Sequence, residues 1–533
     1  MTSSPPDFIF LWKQHKAIVV SLALLVLLYI LVRISNLTLL PIFADEAIYI
    51  RWAQVMRSEA TLRFLPLSDG KQPLFMWSVI PFLKVFSDPL YAGRLVSVFT
   101  GLGSLLGIFF LTLQLIKAPR IALISAMLYI LVPFSFFFDR MALADSMLTM
   151  WGIWSIYFAI SLINRLDLVF ALLMGHSLGF AWLTKSPAVF FLGMVPVSGL
   201  LIKKAKLYKK IRSKTWLTER NWFWVRLCCY WSISLLIAWF IYNLLRLGPE
   251  FHMIELRNRD YIYPWHEIIS LGWKEILYKT RQVWSFYWLL LTPGVLVGSV
   301  WGVINWHKKH FRAVCFLLIW ALLPIVIQVV IARSVTARYF LYTIPAWLIL
   351  AGIGIQSWLT VSRMRWWKIV VSLLVFGWPL WTIWSLVIDP DSAPLPRIER
   401  HGYLEEWTSG HGLRNIAEYL KQESGVSTIV VGTEGFFGTT PDGLQIYFDK
   451  NPRVTVIGLN PIVDRISEHL LNSLNSNRVF LVVNDTRLKI ADPETAGLHL
   501  IKAFPKAARP DGTRENLLFF ELIPTSSMEI IAE

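Results

Sequence analysis

The chain has 533 residues, of which 55% are hydrophobic and 16% charged, with a formal net charge of +16. Soluble globular chains carry about 25% charged residues, so this composition excludes an ordinary soluble protein over most of its length. The positive charge sits in short loops between apolar runs, the pattern of membrane topology and not of a nucleic-acid-binding face.

Apolar runs long enough to cross a bilayer are predicted at 17–40, 94–116, 121–138, 141–163, 168–183, 188–202, 223–245, 283–304, 313–332, 339–359 and 369–388. The expectation is an α-helical polytopic membrane protein with about 11 transmembrane helices over residues 1–389. The first run follows Lys13 and Lys16 and lacks a clear small-x-small cleavage site, so it reads as a retained signal anchor. With the N-terminus inside, the inner loops are Lys117/Arg120, Arg165, residues 203–214 with seven Lys/Arg, Lys308/Lys309/Arg312 and Arg363/Arg365/Lys368. All the strongly basic loops then share one side, as the positive-inside rule requires. Residues 390–533 fall on the other side, as an extracytoplasmic domain of a cytoplasmic-membrane protein.

Three outer segments remain, at 41–93, 248–282 and 333–338. Within the first, 73–86 is apolar but too short to span, and it reads as an interfacial or re-entrant piece. No inverted repeat of the transporter kind is visible. Cys228, Cys229 and Cys315 lie in apolar runs, which implies no disulfide framework. Beyond the Pro-rich linker at 389–396, helical periodicity at 413–422 and 464–474 alternates with β-branched runs at 427–431, 454–458 and 479–483. Runs at 498–503 and 517–522 read as edge strands, giving a small α/β layer domain. It has no Gly-rich phosphate fingerprint and no metal-ligand spacing, so it is expected to bind or orient something, not to catalyse.

Several charges stand where membrane proteins place few. Asp45 and Glu46 follow the first span. The plain reading is a solvated acidic pair; the chemical one is a carboxylate whose proton affinity is raised in a dehydrated cleft, fit to act as a general base. Lys71 opens the interfacial piece, where an ammonium either snorkels or meets a lipid phosphate. Asp139, Arg140 and Asp145 interrupt apolar sequence between the third and fourth spans. Charges at such depth pair or line a cavity, and Arg140 and Asp145 are too far out of phase to share one helix face. Lys185, Arg333 and Arg338 are basic residues on the outer side. Together with Lys71 they form a set of exceptions to the charge bias, which points to a bound anion. His252 and His266 fit no metal spacing and read as loop surface, and Glu405 and Glu406 read as solvated.

These segments, in this order, resemble the phospholipid-carrier-dependent glycosyltransferases of the GT-C fold, among them the protein O-mannosyltransferases and the bacterial lipid A aminoarabinose transferases. The pieces that carry the resemblance are Asp45-Glu46, Lys71-Gln72-Pro73-Leu74, Arg140 to Asp145 with Leu148, Thr184-Lys185, and Arg338-Tyr339 with Pro345. The resemblance implies Asp45 as the catalytic carboxylate with Glu46 in support, and Lys71, Arg338, Arg140 and Tyr339 around the carrier phosphate. Asp139, Asp145, Lys185 and Arg51 would support them. Gln72 stands where the family often has proline. Ile48 stands where aminoarabinose transferases have arginine, with Arg51 the nearest basic residue. The implied reaction moves a sugar, with inversion, from a polyprenyl-phosphate donor to a hydroxyl of a lipid, glycan or protein acceptor. No metal or other cofactor and no nucleic acid is expected; membrane lipids surround the protein. The alternatives are a transporter or flippase of lipid-linked sugars, which needs the basic cavity but no base, and a sensory protein, which leaves the charged set unexplained.

Overall fold

The computed structural model describes residues 8–202, 216–361 and 365–524. Among them, seven helices are long and apolar enough to cross a membrane: Lys16–Ile34, Pro89–Ile116, Ala144–Arg165, Trp222–Leu247, His310–Ile331, Ala337–Thr360 and Trp366–Ile388. Shorter apolar helices occupy Leu74–Val85, Pro119–Leu131, Leu168–Thr184 and Ser186–Leu201. The chain is thus a multi-pass helical membrane protein. The basic loop 203–214 and Arg363 lie outside the described residues, as do the side chains of Lys13, Lys308, Lys309 and Arg365.

The span expected at 283–304 is not one straight helix. Trp273–Leu291 and Pro293–Trp306 meet at 98°. The break falls at Thr292, with φ 81°, followed by Pro293. Proline lacks the amide that would continue the helix and disfavours helical backbone in the residue before it, a constraint that hydropathy does not register. Farther on, close approach needs glycine: a Cβ on Gly354 would lie 1.9 Å from the Gly298 carbonyl oxygen, and one on Gly302 2.1 Å from that of Leu350. Small residues of this kind let membrane helices pack backbone to backbone.

The C-terminal part is a five-stranded sheet of β1 Ile429–Thr433, β2 Val454–Gly458, β3 Arg478–Asn484, β4 Leu498–Pro505 and β5 Asn516–Leu522. The order is β2-β1-β3-β5-β4. The first three strands run parallel, with Val431 in register with both Val456 and Phe480; β5 is antiparallel to β3 and to β4. The run at 517–522 is therefore an interior strand, not an edge, because the β4–β5 pair folds back so that β5 lies against β3. The helix Thr439–Phe448 is unforeseen. Its Thr-Thr-Pro-Asp-Gly start carries strong turn chemistry. Proline is tolerated in a first helical turn, and the Asp442 carboxylate accepts the Gly438 amide at 2.5 Å. This helix packs on Ala44–Ser58: Arg51 and Arg57 pair with Asp449 at 3.0 and 2.6 Å, and Gln54 donates to the Ile446 carbonyl at 2.8 Å. Arg414 adds an ion pair with Asp88 at 2.5 Å.

Candidate functional site

The site begins where the chain leaves the first span and turns into the helix Ala44–Ser58. Neighbouring helical residues point about 100° apart, so Asp45 and Glu46 face different surroundings. Glu46 is fully buried. It accepts from the amides of Phe43 at 3.0 Å and Ala142 at 2.6 Å, and it pairs with Arg94 through two bonds of 2.8 and 2.7 Å. Arg94 also donates to the carbonyls of Leu37, Leu40 and Pro41. Both groups are saturated inside the protein, and Glu46 holds the turn without reaching a cavity.

Asp45 points the other way, into a cavity of about 570 Å³. Lys71 lies 3.2 Å from one of its carboxylate oxygens and Arg338 2.6 Å from the other. Lys71 is delivered by the 3₁₀ turn Leu65–Asp69, which closes through Gly70 at φ 65°. Its ammonium also meets Asp69 at 3.2 Å and lies over the rings of Tyr49 and Trp52. Arg338 comes from the first turn of Ala337–Thr343. Its Nε is buried with no hydrogen-bond partner among the described residues. On the same wall Lys185 pairs with Asp145 at 2.6 Å and sits 4.7 Å from the Tyr339 ring centre. The rest of the lining is largely apolar, with Phe190, Phe191, Met194, Trp320, Leu323 and Ile327 from two neighbouring helices. Val189 and Leu323, both on this wall, are about half exposed at the outside of the helix bundle. One hollow thus joins a cationic end to an apolar flank.

The expected rise in the proton affinity of Asp45 does not occur. Burial acts to raise its pKa, but Lys71 and Arg338 outweigh it and hold the carboxyl well below the ordinary range. Burial likewise acts to lower the Lys71 pKa, and Asp45 reverses it, so Lys71 stays firmly protonated.

Not every residue singled out from sequence joins this hollow. Arg140 donates to the carbonyls of Ser35 at 2.6 Å and Asn36 at 2.9 Å, beneath the Phe136 ring. The turn at residues 139–143 directs it to the end of the first span, away from the cavity. Asp139 is buried among Tyr29, Tyr129 and Ser146, with Arg33 at 3.6 Å. Arg51 is engaged by Gln445 and Asp449 of the C-terminal part. Arg333 pairs with Glu267 at 3.2 Å over Tyr263. Glu405 is not solvated: it is fully buried and pairs with Arg397 and with Arg400 at 2.8 Å. His252 and His266 are exposed. Sequence reasoning missed Tyr49, one helical turn beyond Asp45 on the same face, although that spacing could have found it. It also missed Arg257 and Tyr261, which line the cavity from the segment 248–282, with Arg257 3.5 Å from Asp69.

The chain has the GT-C fold, a polytopic helical bundle joined to a small C-terminal sheet. Residues 66–247 match the family model described as dolichyl-phosphate-mannose-protein mannosyltransferase. The undecaprenyl phosphate-alpha-4-amino-4-deoxy-L-arabinose arabinosyl transferase of Pseudomonas paraeruginosa is 27% identical over 317 residues, 56% of this chain and 52% of that protein. Its counterpart in Pseudomonas aeruginosa is 28% identical over 319 residues, with the same coverage. The chain spans about half the length of the curated relatives it matches. Among solved structures, ArnT from Cupriavidus metallidurans bound to undecaprenyl phosphate superposes with a TM-score of 0.56 at 15% identity, over 95% of this chain and 98% of that one. The archaeal oligosaccharyltransferase AglB from Archaeoglobus fulgidus, in complex with an inhibitory peptide and a dolichol-phosphate, gives 0.51 at 11% identity, over 97% and 75%.

Proposed function

We propose that this protein is an inverting glycosyltransferase that moves a sugar from a polyprenyl-phosphate carrier to an acceptor hydroxyl at the outer face of the cytoplasmic membrane. One observation carries the reading: Asp45 bridges Lys71 and Arg338 at one end of a cavity whose remaining wall is largely apolar. A lipid phosphate fits the cations, a polyprenyl tail fits the flank, and a carboxylate stands beside the anomeric carbon such a donor would present. The similarity to arabinosyl transferases, with undecaprenyl phosphate in one solved structure and dolichol-phosphate in another, favours the same donor class.

In the resting cavity Asp45 is the counter-ion of Lys71 and Arg338, and in that state it is a weak base. An incoming donor phosphate competes for both cations. Freed from them, Asp45 gains basicity in the dehydrated hollow, where burial favours its protonated form. The acceptor oxygen then attacks the anomeric carbon, the carbon–oxygen bond to phosphate breaks with its electron pair on the phosphate, and Asp45 takes the acceptor proton. Lys71 and Arg338 neutralise the charge gathering on the leaving group, which in a water-poor site contributes several kcal/mol. Lys185, Asp145 and Tyr339 shape the adjoining wall. Glu46 acts by fixing the turn that presents Asp45, and Arg140, Asp139 and Arg51 act structurally.

The charge pattern supports an inside N-terminus, a membrane part over 1–389 and an outer domain over 390–533. Asp145 and Arg165 sit near opposite ends of one helix, about 30 Å apart at 1.5 Å per residue, so a basic end lies opposite the cavity. The direct test is transfer by the purified protein in detergent or nanodiscs, with labelled polyprenyl-phosphate sugars and envelope extracts as acceptor. Transfer with release of free polyprenyl phosphate is expected. Movement of intact sugar lipid across proteoliposomes without bond cleavage would replace this reading with a flippase.

A further inference from the structure

The two groups that define the reaction centre belong to distant parts of the chain, yet one short segment holds the residue preceding each. Residues 399–410 form a strap between the last span and the outer sheet. The Ala337 amide, next to Arg338, donates to the Glu399 carboxylate at 2.7 Å. The Ala44 amide, next to Asp45, donates to the Thr408 carbonyl at 3.1 Å, and the Gly410 amide donates back to the Ile42 carbonyl at 2.8 Å. Between these ends the Tyr403 ring lies 4.4 Å from that of Phe43, over which Arg338 stacks at 5.6 Å. The sheet grips the strap in turn: Lys506 donates to the Glu406 carbonyl at 2.8 Å, and the Ala507 amide donates to the Leu404 carbonyl at 3.2 Å.

We infer that this strap sets the separation of Asp45 and Arg338, and that Glu399 is its positioning residue, so the outer domain tunes the reaction centre without touching substrate. The inference rests on the glycosyltransferase reading. Glu399 is only 3% exposed, and among the described residues its carboxylate accepts one hydrogen bond, which holds the start of the Ala337–Thr343 turn. Reaction centres lose about a hundredfold in rate when a group shifts by 1 Å, so a loosened Ala337 amide registers in turnover before it registers in folding. Burial raises the Glu399 pKa; the Ala337 amide and Arg338 oppose this and Asp145 reinforces it, leaving it at about 7. The charged and titratable groups around it are Arg338, Asp145 and Tyr403. The carboxylate is the stronger acceptor, so the hold weakens as pH falls through about 7.

The experiment compares wild type, Glu399→Ala and Glu399→Gln in the full-length protein. Glu399→Ala is expected to lower kcat about tenfold or more with donor KM within about twofold. Glu399→Gln keeps a neutral, weaker acceptor at the same place and is expected to turn over near the wild type's low-pH rate, above Glu399→Ala, with no decline between pH 8 and 6. A cryo-EM structure of Glu399→Ala, which needs no turnover, is expected to show the Asp45–Arg338 pair opened beyond hydrogen-bond distance. An unchanged pair in that structure, or wild-type kcat in Glu399→Ala, overturns the inference. Absence of transfer by wild type strikes instead at the glycosyltransferase reading, and the structure of the variant then still decides the strap.

Discussion

Two ionic clusters lie within a few residues of each other where the first span ends, and they are built to opposite specifications. Glu46 and Arg94 are sealed, each with its hydrogen-bonding capacity met by the other or by backbone. Asp45, Lys71 and Arg338 are 13–18% exposed on a shared cavity, and Arg338 keeps an unused buried N–H. Both are clusters of acids and bases at the end of the first span; leftover capacity separates them. A saturated cluster has nothing to offer a ligand. The open cluster, in which Asp45 meets both cations and Asp69 also meets Lys71, is in the proposed reading the one that exchanges the Asp45 contacts for a phosphate.

The largest expected effect breaks the open cluster. Asp45→Asn removes the proposed base and should cut kcat by about 10²–10⁴-fold, while the protein still folds. The same change removes the resident anion, so binding of undecaprenyl phosphate by the variant should be no weaker than wild type, and tighter at low salt. Wild-type turnover in Asp45→Asn would remove Asp45 from the chemistry. Weakened carrier binding would show instead that Asp45 organises the cations and does not compete with the ligand.

The sealed cluster should fail differently. Glu46→Gln leaves Arg94 buried without its counter-charge, a loss of about 3–5 kcal/mol by comparison with other broken buried pairs. The expected signature is low yield of folded protein and a lowered melting temperature in detergent, with surviving molecules turning over at rates closer to wild type than those of Asp45→Asn. If Glu46→Gln melts like wild type but does not turn over, the contrast between the two neighbours collapses.

Much of this was legible in the sequence, and the misses have physical causes. Apolar runs and basic loops marked the membrane part because span length and loop charge are properties of composition. Lys71, Lys185 and Arg338 stood out as cations on the wrong side. Hydropathy carries no backbone angles, so the bend at Thr292–Pro293 stayed hidden inside an apparently continuous span. Arg94 was read as the first residue of a span, although an arginine that opens an apolar helix on the outer side invites the search for a buried acid. Glu405 looked solvated because its partners Arg397 and Arg400 stand in a short helix after the Pro-rich linker, whose path no local pattern fixes.

Within the open cluster, Lys71 offers a finer test. It touches Asp45 and Asp69 and stacks on two aromatic rings, so its removal leaves the cavity shaped but short of one charge. A charge-assisted hydrogen bond contributes about 1.5–3 kcal/mol, so Lys71→Ala should raise the donor KM by roughly ten- to a hundredfold. With one cation gone, Asp45 is less stabilised as the anion, and the variant's acid limb should move toward higher pH. An unchanged donor KM would leave Arg338 and Lys185 as the phosphate ligands.

The smallest effect concerns the residue whose sequence assignment and position diverge most. Arg140 belongs to the segment that carries the family resemblance, and it was expected at the carrier phosphate. Its guanidinium instead pins the Ser35 and Asn36 carbonyls at the end of the first span, where Asn36 has φ 47° and donates to the Val387 carbonyl of the last span. Arg140 therefore ties two spans and the turn before Asp45, and it is only 6% exposed. Arg140→Gln should cost about 1–3 kcal/mol of stability through the unpaired carbonyls, while donor KM stays within about twofold of wild type. A tenfold rise in donor KM without a lowered melting temperature would return Arg140 to the phosphate, and would mean that the first span shifts on ligand binding enough to release it.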